Sequence, residues 1–155
     1  MLIAWQFATA AARVLAEDSP LDEFLWAKHK PLGLLLLLLV VIRALWFFSN
    51  SGNRPGSLST AAKVGHLAMY ALIFIIPILA LVRQYGSGKA FSPFGLPLMS
   101  GFEGGKIEWL MAPANLFHGW LGWLLLATIV GHIVMAIVHR RRPGDEDVLR
   151  RMIGG

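Results

Sequence analysis

At 155 residues and 56% hydrophobic, the chain exceeds the roughly 45–50% apolar content of soluble domains, and the excess falls in blocks about 20 residues long. This is the signature of an all-α membrane protein with room for one bundle and no separate soluble domain. The formal charge of +5 gathers at the ends of the apolar runs, where it reports topology; no nucleic-acid module or internal repeat is present. The absence of cysteine excludes disulfides, iron–sulfur ligation, thiolate ligation of haem and covalent haem attachment.

Residues 1–16, MLIAWQFATAAARVLA, read as the second half of a membrane helix: apolar and helix-compatible, too short to span, with Arg13 near the end. A signal peptide is the rival reading, but no basic region precedes the apolar run and no convincing cleavage site follows it. The chain therefore reads as beginning in mid-helix. Residues 17–30 form a short polar connection with four carboxylates, an interfacial Trp26, and His29 between Lys28 and Lys30. Pro31 suits the first position of a helix, where its missing N–H costs nothing. A second span runs over about 31–48, ending in Arg43, Trp46, Phe47 and Phe48. Gly33, one turn beyond His29 on the same face, leaves room for something bulky.

Residues 49–64 are a Gly/Ser/Pro loop carrying Arg54 and Lys63. The third span covers about 65–82, with His66 near its start, Pro77 as a candidate kink and Arg83 at its end. Residues 84–116 are a long connection rich in Gly, Pro and aromatics; Phe91, Phe94, Phe102 and Trp109 suggest a segment lying on the membrane surface. The fourth span, about 117–139, carries no ionisable side chain except its histidines and is long enough to cross a bilayer. A basic tail follows.

Histidine spacing organises the whole. His118 and His132 lie fourteen positions apart, which at about 100° and about 1.5 Å per residue puts them on nearly one face, separated by about 21 Å. Imidazole inside a bilayer is costly unless something binds it. With thiolates excluded, imidazole suits iron in a haem, and two histidines on one face suggest two stacked sites. The bland alternative is that they hydrogen-bond to neighbouring helices. Basic residues in the second loop (Arg43, Arg54, Lys63) and in the tail (Arg140, Arg141, Arg142, Arg150, Arg151) place both chain ends in the cytoplasm. The second and fourth spans then both start on the outer side, so His29 and His118 share a depth and can clamp one iron. His132 needs a partner from a helix that begins on the inner side. His66 is the available candidate, and a first-span partner would lie before Met1. His139 reads as an interfacial residue rather than a ligand.

Together, His29 with Gly33 and Arg43, the run GHLAMYALIFIIPI at 65–78, the fourth-helix His118, His132 and His139, and the tail DVLRRM at 147–152 resemble the bacterial cytochrome b561 family. The resemblance implies a single membrane domain over 1–155, a four-transmembrane-helix bundle whose first helix is incomplete at the N-terminus. It implies an inner-membrane protein with two b-type haems, passing electrons between a donor and the quinone pool, ubiquinone type included. In that family the second-helix histidine, here His29, pairs with the first fourth-helix histidine, here His118. The second, here His132, pairs with a histidine near the start of the first helix, while the position of His66 is not normally a ligand. This chain has no histidine before His29. The expectation is therefore one complete haem site, with the partner of His132 missing upstream, or one haem alone, or His66 in that role.

Lys28 and Lys30 are expected to favour the reduced haem and its propionates. A haem-bearing anchor subunit of a dehydrogenase or hydrogenase, and a non-redox membrane scaffold, are the alternative functions. No catalytic residue is expected beyond the iron ligands; a homodimer is compatible with the sequence, and the donor is not legible in it.

Overall fold

The computed structural model describes residues 1–50 and 60–141. Arg54, the tail from residue 142 with its arginines and DVLRRM motif, and the side chains of His139, Arg140 and Arg141 lie outside the described residues. Among the described residues there are four helices and no strand: α1 (Leu2–Leu15), α2 (Pro20–Ser49), α3 (Thr60–Gly86) and α4 (Glu108–Arg141). Three stretches are long and apolar enough to cross a bilayer: Pro20–Ser49, Ala62–Gly86 and Glu108–Val138. Helix α1 is shorter, 14 residues against 30 for α2. The fold is thus the expected all-helical membrane bundle with one short helix.

Helix boundaries differ from the sequence reading, for local reasons. Residues 17–30 are expected to be a connection, yet all but the first three belong to α2. Ser19 caps that helix, its hydroxyl accepting from the Asp22 N–H at 3.1 Å, and Pro20 occupies the first turn with Asp22 and Glu23. Capping hydroxyl, early proline and first-turn carboxylates are each favourable at a helix start. At about 1.5 Å per residue, α2 is about 45 Å long, so its charged first turns reach past a hydrocarbon layer of about 30 Å. Pro31 lies inside α2. It removes the donor that would meet the Ala27 carbonyl, a loss that membrane helices tolerate when neighbouring groups compensate.

Helix α4 likewise starts early, at Glu108, with Pro113 inside it, and so takes in Trp109 and Asn115. Residues 87–107 between α3 and α4 form a compact cap. Phe91 and Met99 make an antiparallel bridge, with the Phe91 N–H donating to the Met99 carbonyl at 2.8 Å, and a single 3₁₀ turn spans Pro93–Gly95. Gly101 has φ +80°, and a Cβ there would stand 2.8 Å from the Gly88 carbonyl oxygen, so only glycine fits the crossing. The four aromatics do not lie together on a surface segment. Phe91 is buried and turned inward, Phe94 is exposed, and Trp109 sits on α4.

Helices α3 and α4 pack most extensively, α1 lies along α2, and α2 borders α3. The buried positions are few and mostly small or flexible, among them Ala12, Leu37, Met111, Ala114 and Leu125. Leu38, Leu39, Ile42, Leu45, Val130, Ile133 and Val134 point outward, where lipid rather than water meets them. Between α2 and α4 there is no extended packing. A cavity of about 510 Å³ separates them.

Candidate functional site

The cavity is walled by all four helices and by Phe91 from the cap. Its lining is chiefly apolar, with a polar group at one end and two imidazoles, His29 and His118, facing each other. Gly119 and Gly122 on α4 line it too, and a Cβ added to either would meet nothing within 4 Å. Gly33, also on the wall, would place a Cβ 3.7 Å from the Gln6 amide nitrogen, an ordinary contact. The glycines therefore widen the cavity rather than permit close helix packing.

His29 and His118 have ring centres 6.2 Å apart with planes at 71°. A metal–imidazole bond of about 2 Å, with the ring centre about 1 Å further on, separates two axial imidazoles on one metal by about 6 Å between ring centres. The observed spacing matches that requirement.

Each ring is also held by its other nitrogen. His118 Nδ1 stands 3.2 Å from the Ile76 carbonyl. A carbonyl can only accept, so Nδ1 carries the proton and Nε2 keeps its lone pair. His29 Nδ1 lies 2.6 Å from the Thr9 hydroxyl, which itself donates to the Gln6 carbonyl at 2.7 Å. With its proton so used, the hydroxyl is left to accept from Nδ1, and Nε2 of His29 is again free. Metal-bound histidines are typically oriented in this way by an acceptor on the second nitrogen. Trp26 stacks on the His29 ring at 5.0 Å between centres and 18° between planes, and the Gln6 amide donates to the His29 carbonyl at 3.2 Å. The residues fit a planar metal macrocycle gripped from both faces.

His66 and His132 also meet, in the other half of the bundle. Their ring centres are 4.9 Å apart at 61°, an edge-to-face contact shorter than two axial ligands on one metal require. One turn on from His66, the Tyr70 hydroxyl accepts from Arg43 Nε and Nη2 at 3.3 and 3.2 Å, tying α2 to α3.

The cations near His29 separate by helix face. Lys28, expected to act beside Lys30, folds back over the Phe24 ring, 3.3 Å from its centre, and stands away from the cavity. Lys30 does line it, donating to Gln84 Oε1 at 3.0 Å. Arg83 and Arg13 line it as well; Arg83 Nε donates to Asn115 Oδ1 at 2.6 Å, and Arg13 bonds the fully buried Asp22 at 2.7 Å. Sequence reasoning missed Thr9, Gln6, Ile76 and the rim role of Arg83. One signal was available: Gln6, Thr9 and Arg13 stand at i, i+3 and i+7 on an otherwise apolar helix, a polar stripe on one face.

An all-helical membrane protein with opposed, second-nitrogen-anchored imidazoles in an apolar cavity belongs to the class of membrane cytochromes. The comparison with known families agrees: prokaryotic cytochrome b561 matches residues 1–155, and the chain belongs to that family. It is 35% identical over 136 residues to cytochrome b561 homolog 2 of Escherichia coli (strain K12), a stretch covering 81% of this chain and 69% of that protein. Membership implies b-type haem, an electron-transfer role and a multi-pass setting in a bacterial membrane.

Proposed function

We propose that the chain is an inner-membrane cytochrome that moves single electrons between a donor and a membrane quinone, with His29 and His118 as the axial ligands of one haem. The observation that supports this most directly is the pair of imidazoles 6.2 Å apart, each with Nδ1 within hydrogen-bond distance of an oxygen, which leaves Nε2 as the lone-pair nitrogen. The haem would supply one-electron redox chemistry. The protein supplies two fixed imidazoles that would hold the iron from both faces and an apolar wall that excludes water. A saturated axial pair favours electron transfer over oxygen binding.

His132 is proposed as a ligand in the second half of the bundle, about 21 Å from His118 along α4. Its contact with His66 is too close for the two to serve as an axial pair without movement. The basic residues Arg43 and Lys63 support a cytoplasmic location for that half and for both chain ends, which puts His29 and His118 toward the outer face.

The test is a pyridine-haemochrome assay with a reduced-minus-oxidised spectrum on the chain purified from haem-replete membranes. A low-spin b-type spectrum that His29→Ala or His118→Ala each removes is the expected result, followed by reduction with a soluble ubiquinol. Both substitutions are made in a His132→Ala background, so that only this site is read. A folded, colourless protein without them would refute the reading, and haem that survives them would refute the ligand assignment.

A further inference from the structure

We infer that Lys30 and Arg83 form a dicarboxylate clamp at the rim of the cavity, each gripping one carboxylate of the porphyrin held by His29 and His118. This rests on the haem reading and extends it to the orientation of the ring. The charge balance of the rim carries the argument. Of three cations on the cavity wall, Arg13 is already satisfied by buried Asp22. Among the described residues, no carboxylate lies within ion-pair distance of Lys30 or Arg83. Each instead has one neutral amide oxygen, Gln84 Oε1 for Lys30 and Asn115 Oδ1 for Arg83.

Those amides position the cations without neutralising them. Gln84 is itself buried and held by its own amide nitrogen, which donates to the Lys89 carbonyl at 3.1 Å. It occupies one of three ammonium donors and leaves the others free. Asn115 takes Nε of Arg83, and the described contacts leave both terminal nitrogens open, the edge that binds a carboxylate in a bidentate manner. Lys30 is the residue after His29, Asn115 is one turn before His118, and Arg83 and Gln84 are neighbours. Both cations therefore stand at the same end of the cavity, about one turn from the axial pair. Two unneutralised cations beside one apolar slot match a ligand that is flat and apolar in its body and carries two anionic groups on one edge. Lys28, on another face of α2, takes no part.

Apoprotein carrying His132→Ala, so that only the His29–His118 site is read, is titrated with haem and with its dimethyl ester, which has the same ring and iron but no carboxylate. The unsubstituted rim is expected to prefer the free acid by about tenfold or more, the equivalent of one charge-assisted hydrogen bond. Lys30→Gln with Arg83→Gln should abolish the preference by weakening the acid alone, and Lys30→Arg should keep it. Each single variant should lose part of it, so a double variant that fails to fold leaves the measurement intact. A preference undiminished in the single variants, or equal weakening toward both ligands, overturns the clamp. Loss of both ligands in His29→Ala marks the haem reading as sound independently of that outcome.

Discussion

Thr9 offers the most direct test of how the protein sets the potential at the His29–His118 site. Its side chain has no exposed surface, and its oxygen lies 2.6 Å from His29 Nδ1. Thr9→Val keeps the shape and removes the oxygen that accepts from that nitrogen. An oxidised metal withdraws electron density from its imidazole and makes Nδ1–H a stronger donor, so the acceptor stabilises the oxidised state more than the reduced one. The net value of one such bond is about 0.5–1.5 kcal/mol. For one electron, about 59 mV corresponds to about 1.4 kcal/mol. Thr9→Val should therefore raise the midpoint by about 20–60 mV, while Thr9→Ser should leave it near the wild-type value. Potentiometric titration of the α band in detergent measures this directly. A Thr9→Val protein with an intact low-spin spectrum and an unmoved midpoint would show that the hydroxyl does not tune His29.

Other expectations follow from the same geometry. Gly119→Leu should fold, because a Cβ there meets nothing within 4 Å, but it should fill the cavity and lower haem content several-fold by absorbance ratio. Arg13→Met strands a carboxylate with no exposed surface, whereas Asp22→Asn frees a guanidinium that is 42% exposed. The first should destabilise the fold more than the second, read by detergent or thermal denaturation. Lys28→Ala, whose partner is the Phe24 ring, should leave haem affinity and midpoint unchanged, in contrast to Lys30→Ala.

That His29 and His118 lie close together was legible because it depends on depth, and depth follows from span order and basic flanks. What holds those rings was not legible. Thr9 and Ile76 reach them only through the side-by-side placement of α1 with α2 and of α3 with α4. Residues 17–30 misled through their charge, which suggests a loop, although Ser19 before Pro20 and two first-turn acids is a readable helix start. Lys28 and Lys30 looked equivalent as neighbours of His29. Two positions on a helix are about 200° apart, and that alone assigns them to different faces. The His66–His132 contact shows the limit of depth matching: two residues can share a level and still meet edge to face.

The uneven packing also bears on what a bound group would do for the fold. Helix α1 lies on α2, α3 lies on α4, and across the middle the two pairs join mainly along α2 and α3, with a void where α2 and α4 would otherwise meet. Each pair is a helical hairpin, with α1 the short partner of α2. A planar group held in that slot would touch both hairpins and tie them together, so the apoprotein should be the more easily opened form along the α2–α4 seam.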